Sequence, residues 1–515
     1  MLNKQSFQSK REAGANSTAC AAAIDLGASS GRVIVGSYDA SNGLTLREVH
    51  RFANGLAMVD GHFVWDVGPR TKTRTKFGPG GSPMYTKEER EGIVEEVLIG
   101  LSRAAELGAT TCGIDTWGVD YGFVDKDGQL CGPVVGYRDG RTEGVAEGLR
   151  GQGLCGEAYK RTGLPLLDIN TLSQLIAQKR DEAGISDGLR LLMVPDLITY
   201  LLTGSCGTEA SIASTTQLLN ANSKQWDSIM LDLAGIDSTC MPAIKQLGSD
   251  AGCIKDESAL GMRMLRVCEH DTASAVASIE LQPHDVFISC GTWSLVGVER
   301  NEPILTEEAE RAGLSNETGA DGRTLLLSNC TGLWIAQQLK PELEARMGRE
   351  FSWEEIAAEV ALLPGSTFVF DTEDPMLAQP GDMLDKLEML GRAAGYGGPF
   401  GVAQLYRAIY ESLAMRYRDV IDRLQELTGD CCTRIRIIGG GSQNSALCQL
   451  VADVCKRKVV AGPHEASAVG NLLVQMTAQG AFESLEEARL AMGASMQYAV
   501  YLPRVSENSD PERGV

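Results

Sequence analysis

A strand, a turn of small residues and a second strand occur at the start of each half of this 515-residue chain. The first copy is AAAIDLGASSGRVIVGSYD at 21–39, and the second is DVFISCGTWSLVGVER at 285–300. Gly27 of the first turn aligns with Gly291 of the second. Apolar runs joined by Gly and Ser predict β-hairpins. Two halves that begin in the same way predict a duplicated α/β architecture with one central cleft.

A helical pattern follows the hairpin in each half. Ile93, Val97 and Leu101 lie on one face of a helix that we predict to begin near Lys87 and to end at Gly108. The second half contains a longer apolar pattern that ends at Gly429; its members are Leu405, Ile409, Leu413, Ile421 and Leu424. The segment RIRIIGGGSQNSALCQLVADVC then predicts a strand, a glycine-rich turn and a helix.

The length of the chain exceeds what one hydrophobic core usually organises, so two large domains are expected. We predict domains at 20–280 and 281–505, an N-terminal extension at 1–19 and a C-terminal tail at 506–515. Within the first domain, 68–92 is basic and rich in Gly and Pro without periodicity, which is typical of an exposed loop insertion.

The net charge of −21 argues against a broad surface for nucleic acid or for an anionic membrane. Any phosphate would have to be bound by a local loop. The absence of an apolar leader and of about 18 consecutive apolar residues predicts a cytoplasmic protein. Fourteen Cys without a CxxC pair and only five His give neither a disulfide framework nor zinc-ligand spacing.

The usual nucleotide-binding loops are missing from the sequence. It contains no GxxxxGK[ST] segment, no Gly-Lys dipeptide and no GxGxxG after a strand. These absences disfavour a P-loop enzyme and a Rossmann dehydrogenase.

The two hairpin turns are the first candidates for a phosphate site. In DLGASSGR, small residues allow backbone N–H groups to approach an anion, while Asp25 could hold Mg²⁺ through water and Arg32 could meet phosphate oxygens. In SCGTWS, Thr292 and neighbouring N–H groups offer a second contact. A plain β-turn explains either segment alone, but their matching places in the two halves strengthen the functional interpretation.

The GGGSQN segment at 439–444 is a candidate adenosine site, because three glycines leave room for a flat ring against the backbone. A sharp strand-to-helix turn is the alternative explanation.

The EHDTASAV segment places Asp271 just ahead of a helical start. A sugar kinase needs a carboxylate to accept the proton of the attacking hydroxyl, and Asp271 could do so. Asp is also a preferred N-cap residue, and the sequence alone slightly favours that role.

The GIDTWGVD segment ends an apolar strand with Asp115, Asp120, a Thr and Trp117. Polar side chains and an aromatic face are typical of sugar binding. The alternative is a core Trp at a strand end. The cost of burying unpaired carboxylates favours the functional interpretation.

Taken in order, these segments resemble the FGGY carbohydrate kinases, a family within the superfamily of actin and hexokinase. HRFANGL at 50–56, YRDGRT at 137–142 and GLW at 332–334 add to the resemblance, which runs from about Ala21 to Pro503. It implies an α/β fold of two actin-like ATPase (ribonuclease H-like) domains with a central cleft.

The resemblance also implies the site residues. ATP would contact Ala28, Ser29, Ser30, Gly31, Arg32, Thr292, Gln337 and Gly440. A ketose would contact Gly118, His270, Asp271, Thr272 and Asn329, with Asp271 as the catalytic base.

The sequences of these segments most resemble those of family members that act on L-rhamnulose. This implies transfer of the γ-phosphate of ATP to the 1-hydroxyl, with Mg²⁺, to give L-rhamnulose 1-phosphate and ADP in L-rhamnose degradation. Another ketose, such as L-fuculose or xylulose, is the nearest alternative. A non-enzymatic nucleotide-dependent binding protein of the same fold is a further one. The expected partners are the ketose and ATP alone, and the sequence does not indicate an oligomeric state.

Overall fold

The structure is a computed structural model that describes residues 19–39, 41–67, 92–181, 188–259 and 261–504. Apart from Ala19 and Gly92, the predicted N-terminal extension, loop insertion and C-terminal tail lie outside these residues.

The described chain contains both strands and helices. Its strands are β1 Ala19–Leu26, β2 Ser30–Asp39, β3 Gly43–Ala53, β4 Ala57–Val59, β5 His62–Trp65, β6 Thr111–Thr116, β7 Tyr121–Val124, β8 Leu130–Cys131, β9 Val134–Val135, β10 Arg190–Met193, β11 Thr208–Glu209, β12 Ile244–Lys245, β13 Asp250–Cys253, β14 Arg263–Leu265, β15 Asp285–Cys290, β16 Trp293–Arg300, β17 Ser315–Thr318, β18 Thr324–Thr331, β19 Arg434–Ile438, β20 Lys458–Ala461 and β21 Ala499–Tyr501.

The α-helices, numbered in chain order, vary in length from 4 to 27 residues. They are α1 Ile93–Glu106, α2 Val145–Gly151, α3 Cys155–Thr162, α4 Thr171–Asp181, α5 Val194–Thr203, α6 Ala210–Ser214, α7 Ser228–Ala234, α8 Asp271–Ala277, α9 Glu307–Arg311, α10 Trp334–Met347, α11 Trp353–Ala361, α12 Pro375–Ala378, α13 Met383–Ala393, α14 Val402–Thr428, α15 Ser445–Cys455, α16 Ala466–Ala478 and α17 Leu485–Ser495.

The chain forms two compact units, and each is built from separate stretches of sequence. The larger contains the residues up to Glu280 together with Glu299–Leu327 and Glu465–Met496. The smaller contains Leu281–Val298, Ser328–His464 and the residues from Gln497 onward. The division into sequence domains at 20–280 and 281–505 stays a prediction, since compact units and sequence domains are different divisions of the chain.

The predicted first hairpin is confirmed as β1 and β2 of the larger unit. They lie in a six-stranded sheet of order β13-β14-β6-β1-β2-β3. The antiparallel register places Asp25 opposite Arg32, and the parallel pairing of β1 with β6 places Asp25 opposite Asp115. Three charged side chains therefore lie in one row across adjacent strands.

Helix α1 buries its predicted face, since Ile93, Val97 and Leu101 are completely inaccessible to solvent. It begins at Ile93, after Gly92, whose backbone is extended with φ −65° and ψ 160°. The predicted start near Lys87 lies outside the described residues. The predicted end is confirmed, with a left-handed Gly108 two residues beyond the helix.

Helix α16 packs on β1 and β6 through buried polar groups. Gln475 Nε2 donates to the Ala22 carbonyl at 2.9 Å, and Gln475 Oε1 accepts from Thr111 Oγ1 at 2.7 Å. The same helix approaches α8 closely at Gly470, where an added Cβ would lie 1.8 Å from the Ser274 carbonyl oxygen. This glycine therefore fixes the distance between the two helices.

The smaller unit contains the adjacent strands β16-β15-β19-β20-β21. The predicted second hairpin is confirmed as β15 and β16, and β15 also pairs in parallel with β19. Helix α14 ends at the predicted Gly429, which has a φ of 71°. In the part of the chain that the structure describes, no helix is long and apolar enough to cross a membrane. All fourteen cysteines are free thiols.

Candidate active site

The turn between β1 and β2 is held from one side by Asn54. The Asn54 side-chain amide donates to the Gly27 carbonyl at 2.8 Å, and its backbone N–H donates to the Ser29 carbonyl at 3.1 Å. Gly27 N–H closes the turn on the Ser30 carbonyl at 2.9 Å. Ala28 and Ser30 are half-buried, and Ser29 at the tip is exposed. Asn54 belongs to HRFANGL, a segment that the sequence analysis quoted without assigning it a role.

Gly31 and Arg32 complete the set of candidate contacts in this turn. A Cβ on Gly31 would lie 2.3 Å from the ring of Phe52, so a side chain does not fit there. The Arg32 guanidinium lies 2.7 Å from Asp25 Oδ2 and 2.9 Å from Glu465 Oε2. Burial opposes the charged form, but the two carboxylates outweigh it, and the pKa of Arg32 is raised. A phosphate at this turn would compete with both carboxylates for Arg32.

Asp115 lies on β6 opposite Asp25 and is completely buried. Its Oδ2 accepts from Asn471 Nδ2 at 2.7 Å, whereas its Oδ1 is a buried oxygen without a hydrogen-bond partner. Burial, with the neighbouring charge of Asp25, raises the pKa of Asp115 well above its ordinary value. The sequence analysis took the cost of burying Asp115 unpaired as a sign of function, and the structure buries it with one oxygen unpaired.

Asp120 is also buried, but donors surround it. Its Oδ2 accepts from the indole N–H groups of Trp65 at 2.6 Å and Trp117 at 2.9 Å, and its Oδ1 accepts from Gln174 at 3.1 Å. Burial raises the pKa of Asp120 to about 6 although these bonds favour the ionised form. The two indole rings lie 4.1 Å apart between centroids, and Trp117 is 7% exposed. The alternative of a core Trp at a strand end is correct.

Gly118 lies in the bend that this pair of indoles supports, and it is half-buried. A Cβ there would lie 2.9 Å from the Thr215 side chain, so a larger residue would displace Thr215. Thr215 Oγ1 accepts from the Val119 N–H at 3.0 Å, and Val119 has a left-handed φ of 68°. The bend therefore needs glycine at this position.

Helix α8 carries the predicted base at its first residue. His270, with extended backbone, is the N-cap residue, and Asp271 is the first residue inside the helix. The alternative of an N-cap role for Asp271 is therefore wrong. The Asp271 side chain is 35% exposed, whereas Thr272 is buried and its hydroxyl lies 3.3 Å from Asp271 Oδ1.

The strand β6 and the helix α6 hold the start of α8. Thr116 N–H donates to the Glu269 carbonyl at 2.9 Å, and His270 N–H donates to Ser211 Oγ at 3.1 Å. Desolvation and the charge of Asp25 raise the pKa of Asp271, against an opposing effect of His270. A reachable carboxylate that holds a proton more readily than usual can accept one in a reaction.

In the smaller unit, two predicted ATP contacts touch each other. Thr292 Oγ1 donates to Gln337 Oε1 at 3.1 Å. Leu333 N–H donates to the Gly291 carbonyl at 2.8 Å, which ties the β15–β16 turn to the start of α10. Thr292 is half-buried and Gln337 is exposed. Asn329 of β18 is exposed as well.

The three glycines after β19 have different roles. Gly439 has a φ of 79°, and a Cβ on Gly441 would lie 2.2 Å from Cys290 Sγ. Gly440 is exposed, and nothing lies within 4 Å of an added Cβ there. The outer two glycines thus let the turn pack on β15, while Gly440 presents bare backbone to solvent. A planar ligand could lie against that surface.

No cluster of three or more His, Cys, Asp or Glu side chains that could hold a metal occurs among the described residues. Mg²⁺ in phosphoryl-transfer sites usually has one or two carboxylates and takes its other ligands from phosphate and water. Asp25, with one oxygen engaged by Arg32, fits such a limited role.

Comparison with known proteins decides the family. The model of the N-terminal domain of the FGGY family of carbohydrate kinases matches residues 105–277, and that of the C-terminal domain matches 286–479. The chain belongs to the FGGY family of carbohydrate kinases. This FGGY kinase is an ATP-dependent enzyme that phosphorylates a sugar, so the alternative of a non-enzymatic binding protein does not apply.

The FGGY kinase is 35% identical over 489 residues to a protein named Rhamnulokinase from Enterococcus faecalis, with 93% of each chain covered. Its fold is similar to that of a ligand-bound xylulose kinase from Lactobacillus acidophilus, with a TM-score of 0.73 at 15% identity and 94% of each chain covered. It is also similar to a Plasmodium falciparum glycerol kinase with ADP, with a TM-score of 0.71 at 16% identity over 96% of this chain and 95% of that chain.

Proposed function

We propose that this kinase transfers the γ-phosphoryl group of ATP to the 1-hydroxyl of L-rhamnulose, giving L-rhamnulose 1-phosphate and ADP in L-rhamnose degradation. The observation that carries the proposal is the start of α8, where Asp271 follows His270 and precedes Thr272 with its carboxylate partly open to solvent. The relative named Rhamnulokinase, which matches nearly the whole chain, supports the choice of sugar.

In this proposal Asp271 is the catalytic base. The 1-hydroxyl donates its proton to the Asp271 carboxylate as its oxygen attacks the γ-phosphorus, and the bond from the phosphorus to ADP breaks. General-base assistance of this kind contributes about 10²- to 10⁴-fold to the rate. Gly118, His270, Thr272 and Asn329 are the proposed contacts of the sugar.

ATP binding is assigned to backbone-rich turns. The turn residues 28–32 with Thr292 and Gln337 are the proposed phosphate contacts, and the bare backbone at Gly440 is the proposed adenosine contact. Asp25 would hold Mg²⁺ through water, and this ion would neutralise phosphate charge. Phosphoryl transfer depends mainly on positioning and charge stabilisation, which such groups supply.

The experiment that tests the proposal is a ketose panel. ADP release would be measured with L-rhamnulose, L-fuculose, D-xylulose and L-xylulose, each at several concentrations, with a reaction lacking sugar as the blank. We expect the highest kcat/KM with L-rhamnulose and ADP release close to the blank without sugar. Phosphorylation at the 1-hydroxyl would be verified by ³¹P and ¹³C NMR of the product.

A higher kcat/KM with another ketose would replace L-rhamnulose by that sugar and leave the kinase family unchanged. A phosphate found on a different hydroxyl would contradict the proposed regiochemistry. The ADP-release assay detects the first outcome, and NMR of the product detects the second.

A further inference from the structure

Glu317 is a buried acid that the mechanism above does not use. It lies in β17 of the larger unit, is 5% exposed, and its Oε2 makes no hydrogen bond of good geometry. The next residue fixes the strand locally, since Thr318 N–H donates to Ser214 Oγ at 2.9 Å. A carboxylate that is buried without a partner is costly, so an opposite charge is expected beside it.

The group beside it is the ring of His270. Nδ1 of His270 lies 3.3 Å from Glu317 Oε2, and Nε2 lies 3.4 Å from Asp271 Oδ1. A neutral imidazole carries one N–H and therefore offers a proton to one of these carboxylates only. A ring that faces a carboxylate at each nitrogen is satisfied when both nitrogens are protonated.

The other charged groups around this ring are mainly acidic. Glu209 is buried, accepts from the Ser211 and Glu269 N–H groups, and has a pKa that burial and Glu269 raise to about 7. The buried guanidinium of Arg266 is bound by Glu269 at 2.7 Å and by Asp196 at 2.9 Å, which neutralise it.

Burial opposes protonation of His270, but Glu317, Asp271 and Glu209 outweigh it, and the pKa of His270 is raised. The surroundings thus favour the charged form of the ring.

We propose that Glu317 is a positioning residue that holds the His270 ring doubly protonated between itself and Asp271. The inference rests on the proposed function, in which Asp271 accepts the proton of the sugar hydroxyl. The imidazolium orients the Asp271 carboxylate and favours its ionised form, and only that form can accept a proton. Glu317 acts through His270 and does not touch the substrate.

The direction of the pH effect follows from these charges. The ring is charged below its own pKa, so the contribution of Glu317 is present at low pH and is lost as the pH rises through that value. Glu317→Gln lowers the pKa of His270, so the ring becomes neutral at a lower pH. The pH range in which both groups have the required state therefore narrows from its alkaline side.

The experiment measures the pKa of the His270 ring by NMR and, separately, the pH profile of kcat/KM. The chain has five His, so ¹⁵N-histidine spectra of the full-length enzyme are simple, and His270→Asn assigns the His270 signals. The pKa of His270 and the pH profile of kcat/KM are then compared in the parent, Glu317→Gln and Glu317→Asp. The matched control is Glu307→Gln, which removes a carboxylate that is 62% exposed on α9 of the same unit.

We expect Glu317→Gln to lower the pKa of His270 by at least about one unit and to move the alkaline limb of the pH profile to lower pH. Glu317→Asp keeps the charge and should recover part of both effects, which also covers the case in which Glu317→Gln folds poorly. Glu307→Gln should match the parent in both measurements.

An unchanged pKa of His270 in Glu317→Gln overturns the inference whatever the enzyme phosphorylates. A lowered pKa with an unchanged pH profile overturns the catalytic part, because the ring would then not act on Asp271 during the reaction. If instead the pKa falls as expected but the parent phosphorylates none of the ketoses tested, the proposed function fails while the ion pair stands.

Discussion

Asp271 combines two properties that a proton acceptor needs, namely access from solvent and an environment that raises its pKa. The access comes from its position at the first turn of α8, where 35% of the side chain is exposed. Desolvation is the main cause of the raised pKa. His270, which is charged in the arrangement proposed above, opposes this effect and favours the ionised carboxylate.

Replacing Asp271 by Asn removes the proton acceptor and preserves the size of the side chain. We expect turnover with the preferred ketose to fall by at least about 10²-fold, because general-base assistance is lost. ATP affinity, measured by calorimetry without sugar, should stay within a few-fold of the parent. Asp256→Asn, which changes an exposed acid of the same unit, is the control and should retain full turnover. Turnover of Asp271→Asn close to that of the parent would remove Asp271 from the role of base.

The sequence analysis missed Trp65, Glu465 and Glu317. Each of them lies far along the chain from the site residue that it pairs with. Asp120 is paired by Trp65, Arg32 by Glu465, and His270 by Glu317. No local pattern reports such pairs, since each is formed by elements that only the folded sheet brings together. The sequence analysis was right that Asp120 could not be buried unpaired, but the sequence did not show which side chains donate hydrogen bonds to it.

At the level of elements, α8 and α16 cross with almost no space between their backbones. Gly470→Ala places a Cβ 1.8 Å from the Ser274 carbonyl oxygen, and backbone cannot rotate away as a side chain can. We expect the free energy of unfolding, measured in urea, to fall by about 3 kcal/mol or more. Activity should fall as well, because the shifted helix carries Asp271.

Gly493→Ala in α17 is the matched control for that variant. Nothing lies within 4 Å of an added Cβ at Gly493, so the change should stabilise the helix by up to about 1 kcal/mol. Equal effects of the two substitutions would show that the crossing of α8 and α16 is not tightly packed.

The sequence predicted well those elements that a short stretch of sequence determines. The two hairpins, the buried face of α1 and the end of α14 at Gly429 follow from alternation, helical spacing and glycine at a left-handed position. The predicted start of α1 near Lys87 lies outside the described residues and stays a prediction. The sequence did not predict the Gly118 bend between β6 and β7, because the bend packs on Thr215, which is distant in the chain.

At the level of the whole molecule, the net charge of −21 should oppose the approach of ATP, which is itself an anion. Raising the ionic strength from about 10 to 100 mM shortens the Debye length from about 30 to 10 Å. We expect kcat/KM for ATP to rise roughly twofold or more, at saturating Mg²⁺, while kcat/KM for the uncharged ketose stays unchanged. A fall with salt would mean that positive charge near the turns dominates the approach.

The chain passes between the two units at five junctions, which are 280/281, 298/299, 327/328, 464/465 and 496/497. The central strand β1 receives a hydrogen bond from Gln475 of α16, and Asp115 receives one from Asn471 of the same helix. During synthesis, α16 is therefore translated only after almost the entire polypeptide, including the strands of the sheet that it covers. A premature stop codon anywhere upstream of that helix leaves one face of β1 and β6 uncovered, and such a fragment would be a target for chaperones and proteases rather than a functional half-enzyme.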